Sequence, residues 1–464
     1  MEETEEITNG ETSVGRGGGD ANCLLSATWM AFAVSSYGVS VNLLVFLMFE
    51  YNIKSSIAIQ ICSLIYGCVS MVVIAGLAAD YSFFDSPIMT IFSFISLLGM
   101  VVLTQVHAPP ETPSKYQFGL LLVCIALGLL GFIALINPYG FMRRDQFDKP
   151  QTFSRVSGKD VSKDVFVVSI VTLICYVEEK LGWGLGFAIC CLVNAMGLVL
   201  FLYGIFSFRT TIRISSKNYR VRVDKLFSCE DEDEVKYLIK FIPLFLTDIF
   251  LQASDNMFNF LITLQALTMN RHIGPDFRMP ASCFGFFSVP TEFLLVAIID
   301  FVIASRCKKL KISLGVGLTH VLTILTLVAS ALIESRRLDQ LTNNSSSMSA
   351  LWLIVPEAVS GFKYGFHSRG HRRMYCRKWP VEGISDVVMR KFSLAMGYFV
   401  SIIIIQLFVQ FTGWLPHNIN DGRLDYVYWM LAAMGCLNFA FHLIFTKSFE
   451  FPTFKFQAGN DEAS

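Results

Sequence analysis

The 464-residue chain has no Walker motif, no GxSxG, no HExxH and no dinucleotide fingerprint, and no nucleophile, base and oxyanion group can be placed together in it. It is therefore read as not an enzyme, with no catalytic residues and no cofactor. Its twelve cysteines form no CxxC pair and no Cys/His metal spacing, and most sit inside apolar runs (Cys62, Cys68, Cys124, Cys175, Cys190, Cys191, Cys283, Cys436). Buried free thiols are expected, and no metal site. Charge is scarce at 16% of residues, and 37 basic residues cancel 37 acidic ones. A chain with no net field has nothing to draw nucleic acid. Residues 1–22 are acidic and Gly-rich without an apolar core, so they read as a disordered cytoplasmic tail.

What the chain has is hydrocarbon. The composition is 53% hydrophobic with a mean hydropathy of +0.54, gathered into runs long enough to cross a bilayer, which needs about 20 residues per helix. Twelve candidate spans divide into two groups of six: a half over 23–206 and a half over 241–446, joined by a polar cytoplasmic linker over 207–240 that carries the acidic run Glu230 to Glu234, with a cytoplasmic tail over 447–464. The predicted fold is an all-α membrane protein of two six-helix bundles. With both termini placed in the cytoplasm, 28 Lys and Arg fall on cytoplasmic segments and 8 on external ones; Lys363, inside a span, completes the 37. That bias follows the positive-inside rule. Overlapping sequons at Asn343 and Asn344 fall in an external loop, where a glycan is possible.

The stretch Phe241 to Met269 stands apart because it is apolar yet carries a polar stripe: Asp248, Gln252, Asp255, Asn256, Asn259 and Thr263. At roughly 100° per residue these steps keep the six within an arc of about 100°. An ionisable group at mid-bilayer costs roughly 2.5–3.5 kcal/mol on insertion scales, so the stripe has to face protein or water. Carboxylates and amides on one face suit the lining of a solute pathway, although a seam of hydrogen bonds between helices would look the same.

A family resemblance rests on longer text. LITLQALTMNRHIGPDFRMP from Leu261, SALWLIVPE, and above all GWLPHNINDGRLDYVYWMLAAMGCLNF from Gly413 resemble the plant nitrate and peptide transporter family, within the proton-coupled oligopeptide transporters of the major facilitator superfamily. YGVSVNLLVFLMFEYNI from Tyr37, DQFDKP from Asp145 and EEKLGWGLGF from Glu178 agree, and the subgroup is similar to nitrate excretion transporters. The resemblance implies alternating access around a central cavity lined partly by spans one, four, seven and ten. It also exposes departures. The span-one ExxER positions are Trp29, Phe32 and Ala33, none able to hold a proton; the span-four basic position is Ile136; the span-ten Glu position is Tyr364, or Gly365 with a shift of one. The GxxxDxxxGR motif keeps Gly76 and Asp80 but has Phe84 and Asp85. Span five opens with Lys159, Asp160, Lys163 and Asp164, leaving only Val165 to Val177 as apolar text, so it is expected to be short or wetted.

The substrate pathway is accordingly assigned to Gln252, Asp255, Asn256 and Asn259 of span seven with Glu357 and Tyr364 of span ten, and Asp255 is the candidate proton site. Glu357, Gly361 and Tyr364 share a face that is expected to oppose span seven. Asp248 is read as interfacial, Lys363 as snorkelling to the cytoplasm, and His367 as part of the basic loop with Arg369, Arg372, Arg373, Arg377 and Lys378. Glu292 and Asp300 of span eight are read as packing contacts. The resulting expectation is a plasma-membrane transporter, with the vacuolar membrane as the alternative, moving a small polar or anionic solute, nitrate first. A non-transporting sensor or partner of a homologous transporter subunit, or a degenerate paralogue, stays open.

Overall fold

The computed structural model describes residues 23–24, 26–79, 86–107, 115–145, 158–207, 232–305, 312–343, 347–375, 384–416 and 419–448. Among them twelve helices follow one another: α1 (Ser26–Phe49), α2 (Ser55–Ala79), α3 (Ser86–Val106), α4 (Lys115–Asp145), α5 (Gly158–Leu181), α6 (Trp183–Ser207), α7 (Glu232–Leu267), α8 (Ser288–Ser305), α9 (Ile312–Thr342), α10 (Ile354–Tyr375), α11 (Ile384–Phe411) and α12 (Leu424–Ser448). The described residues are almost entirely helical. Seven of its helical segments, in α1, α2, α6, α8, α9, α11 and α12, are long and apolar enough to cross a membrane on that ground alone. Helices α5, α7 and α10 miss that standard because they carry the charges.

Helical geometry breaks at Asn42 and at Gly182. Helix α1 is interrupted at Asn42 (φ −100°, ψ 5°), which stands before the terminal segment Leu43–Phe49. Helices α5 and α6 are separated by Gly182 alone, at φ +111°. A side chain is strained at that angle, so glycine lets the chain reverse without a loop. The reversal lays α6 against α5 and brings Gly186 against Glu178.

Helix α5 differs from the expected short span. It runs 24 residues, about 36 Å at 1.5 Å per residue, which is ample for a bilayer. Lys163 and Asp164 are half-buried against protein, and Lys163 donates to Ser26 Oγ at 2.9 Å. These two charges lie inside the helix, and Ser26 of the neighbouring α1 partners Lys163.

The first half packs α3 against α4 and α6; the second packs α9 against α10 and α12, and α8 against α10. Close approaches depend on small residues: Gly197 of α6 receives the ring of Phe32, whose nearest atom would stand 3.0 Å from any added Cβ. The halves meet along α2 and α11, where Gln60 bonds Gln406 at 3.0 Å and Ser401 reaches Ser63 at 3.4 Å. Between α7 and α8 lies a two-stranded hairpin, His272–Ile273 with Phe277–Arg278, followed by a 3₁₀ segment, Ala281–Phe287. This connection crosses back to the first half, with Tyr176 and Phe277 stacked at 5.3 Å.

Candidate functional site

Helices α7 and α10 face each other through side chains, since their backbones do not pack closely. Three rungs join them. Gln252 Nε2 meets His367 Nε2 at 3.2 Å, Asp255 Oδ1 is paired with Lys363 Nζ, and Asn259 Nδ2 donates to the Tyr364 hydroxyl at 3.2 Å. Asn259 is solvent-exposed although it sits at mid-helix on the face that meets α10, as the wall of a wetted gap would be. Tyr37 of α1 is also exposed, and Tyr398 of α11 lies within electrostatic range of both Tyr37 and Asp255. Groups of both halves therefore lie near these rungs.

Lys363 departs from the expected snorkelling. It is 2% exposed, and its ammonium lies 4.0 Å from the centre of the Tyr364 ring and 5.9 Å from that of Phe258. A buried ammonium needs a countercharge, and Asp255, about four turns inside the apolar segment, supplies one; the aromatic faces add a smaller attraction. His367 likewise lies within α10 and touches Gln252. Asp248, read as interfacial, is 2% exposed and accepts from Ser393 of α11 at 2.5 Å.

The remaining assigned residues divide. Asn256 is buried and its Nδ2 has no hydrogen-bond partner among the described residues; Thr263 folds back on the Asn259 carbonyl at 3.2 Å. Glu357 is buried, with Oε1 unpartnered among the described residues, and lies within electrostatic range of Lys363 and Asp255. Gly361 does not face α7. A Cβ there would overlap Thr291 and the Ser288 carbonyl of α8, so glycine is what lets α8 and α10 touch. Glu292 is half-buried on α8. Phe32 and Ala33 are wholly buried in the core of the first half, and Trp29 packs against it. Asp80, Phe84 and Asp85 lie outside the described residues, and the side chains of Ile136, Asp300 and the cluster from Arg369 to Lys378 lie outside the described side chains.

A second polar centre, unassigned in the sequence, closes the α5 end of the gap. Arg271, after α7, is 6% exposed and pairs with Glu179 of α5 at 3.0 Å, while Glu179 also accepts from the Ala281 amide at 3.3 Å. Burial pulls the Arg271 guanidinium below its ordinary range, and Glu179 opposes that. Beside them, Asn42 Nδ2 donates to Glu178 Oε2 at 3.1 Å, and Asn42 Oδ1 accepts from Ser282 Oγ at 2.9 Å. The consecutive acids Glu178 and Glu179 at a span end were the available signal. The break at Asn42 aims its amide at both halves, which no sequence pattern announces.

Residues 210–420 match the model of the PTR2, or POT, family. The chain carries a POT family domain. Over 95% of its length it is 28% identical to "Protein NRT1/ PTR FAMILY 2.3" of Arabidopsis thaliana, covering 94% of that protein, and 27% identical to "Protein NRT1/ PTR FAMILY 2.1" of the same plant with the same coverage. Among solved structures, an auto-inhibited POT family peptide transporter superposes with a TM-score of 0.69 at 15% identity, over 96% of this chain and 99% of that one. A POT family transporter in complex with 5-aminolevulinic acid superposes at 0.66 and 13% identity, over 92% and 96%. These structural likenesses establish the POT-type fold of the full chain.

Proposed function

We propose that this POT-domain protein is a plasma-membrane transporter that moves a small anion, nitrate first, by alternating access of its two halves, with both termini in the cytoplasm. The observation that carries the reading is the Lys363–Asp255 pair between α7 and α10. Lys363 supplies a cation where the resemblance leaves Ile136 in place of the usual basic residue. Gln252, Asn259 and Tyr364 add hydrogen-bonding groups for a solute leaving water. A POT peptide transporter solved in complex with sulfate, and a POT family transporter solved in complex with 5-aminolevulinic acid, support an anionic or zwitterionic solute.

The pair also suggests how charge is managed. An anion that takes Lys363 from an ionised Asp255 leaves two or more negative groups buried together, which is costly at low dielectric. If Asp255 accepts a proton as the anion enters, the site keeps its balance. Asp255 then acts as the proton site through Lys363, in place of the missing span-one acids.

The test is labelled nitrate flux, inward and outward, in oocytes expressing the chain at two external pH values with surface delivery verified. Flux lost in Lys363→Met, with surface delivery kept, supports the site; wild-type flux in that variant rules it out. The burial of Phe32 and Ala33 favours a second reading, a non-transporting partner of a homologous transporter subunit. Surface delivery without flux of nitrate, peptides or organic anions, together with co-purification of a homologous subunit, would establish it.

A further inference from the structure

Glu178 has no role in that scheme, and its surroundings are unusual for a carboxyl. It is 1% exposed, Oε2 takes a single hydrogen bond from the neutral amide of Asn42, and Oε1 has no partner among the described residues. Its chain lies against Gly186 of α6, where an added Cβ would stand 3.1 Å from the carboxyl carbon and Oε1. The other groups near it are the thiols Cys190 of α6 and Cys283 of the Ala281–Phe287 segment, with Cys175 one turn back on α5. The charged neighbour is Glu179, which repels it and is itself paired with Arg271. No element packed around Glu178 offers a cation to it among the described residues. An ionised carboxylate so placed would be a buried charge with one neutral donor, which costs several kcal/mol; a protonated carboxyl costs far less.

Part of what covers Glu178 belongs to the opposite half. Ser282 and Cys283 belong to the second half and lie over the Asn42–Glu178 pair of the first. If the halves part at this end, the cover lifts and the carboxyl meets water, where it ionises above about pH 4.3. We propose that Glu178 is a proton-binding gate residue, taking up one proton each time this end of the transporter closes and releasing it each time it opens. With both termini cytoplasmic this end is external, so the proton returns to the side it came from. External acid would hold the gate shut without itself being carried across. The inference rests on alternating access and is independent of the solute.

By linkage, one proton bound on closing changes the closed-to-open ratio by up to about tenfold per pH unit, and by up to about a hundredfold between pH 7.5 and 5.5. The test uses the full chain in lipid nanodiscs, with nitroxides attached through noncanonical amino acids at Leu181 on α5 and Asp276 in the hairpin, both exposed. Pulsed electron paramagnetic resonance then reads the distance across the gate. The short-distance population should grow on acidification in wild type and in Glu178→Asp, and should be insensitive to pH in Glu178→Gln. A wild-type population that does not change between pH 5.5 and 7.5, or an unaltered pH response in Glu178→Gln, overturns the proposal. Arg271→Ala, which removes the neighbouring ion pair, separates the two ideas. A gate that opens in Arg271→Ala but ignores pH overturns the proton site alone, whereas one fixed distance in every protein at every pH overturns alternating access as well.

Discussion

Replacing Lys363 by Met removes the ammonium and keeps an unbranched chain of similar length. Asp255 is then left as a carboxylate that is 10% exposed in a site that had one full countercharge. Stranding one member of a buried pair costs about 3–5 kcal/mol, because the survivor keeps its desolvation penalty and loses its partner. The aromatic contacts to Phe258 and Tyr364 are lost too, but those are about 0.5–2 kcal/mol each and are partly replaced by the Met thioether. The double variant Lys363→Met/Asp255→Asn removes both charges while keeping shape, and should return to within about 1–2 kcal/mol of wild type. Reversible unfolding in detergent, titrated with denaturing surfactant, reads these differences, and the four proteins close a double-mutant cycle with a coupling energy near the upper end of the usual range, about 3 kcal/mol. Both variants should be inactive in flux, so stability and transport separate. If the double variant is no more stable than Lys363→Met, the carboxylate is not stranded and Lys363 is not its countercharge.

Other consequences follow from the same geometry. Phe32→Glu, which restores an acid at a family position, should give misfolded protein without proton coupling, since the ring is wholly buried against Gly197; surface delivery measured beside wild type decides it. Gly361→Ala should lose surface delivery or unfold early in a detergent stability assay, because the methyl meets Thr291 and the Ser288 carbonyl on α8, and overpacking of this sort costs about 1–3 kcal/mol. Tyr364→Phe removes the hydrogen bond from Asn259 and keeps the ring under Lys363, so it should cost about 1 kcal/mol and raise the apparent solute KM with little effect on thermal stability. Arg271→Ala should weaken closure at the α5 end and raise the rate at which an external thiol reagent modifies Cys283, which is fully buried in the closed structure; an unchanged rate would mean that the pair with Glu179 does not hold the halves together.

Much of the architecture is legible in the chain itself. Long apolar runs must leave water, backbone amides inside a bilayer must be satisfied by helix, and the two groups of six runs divide at a polar linker, so two six-helix bundles follow from hydropathy and spacing. The polar stripe on α7 is visible for the same reason, because periodicity reports which residues share a face. What periodicity does not report is the partner of that face. Lys363 lies near a basic loop, and by sequence alone snorkelling is the favoured reading; burial is decided by Asp255, 108 positions earlier, arriving within bonding distance. Gly361 shares a helical face with Glu357 and Tyr364 yet is turned to α8, since helix rotation is set by the packing of neighbours that hydropathy cannot name. The gate at Glu178 is further from the reach of sequence still. It needs the break at Asn42, the glycine reversal at Gly182 and a hairpin from the other half to meet at one place, and its character comes from what is absent around the carboxyl, a cation within reach. Sequence specifies which groups must avoid lipid; only the folded chain decides which of them meet, and burial then sets what each meeting costs.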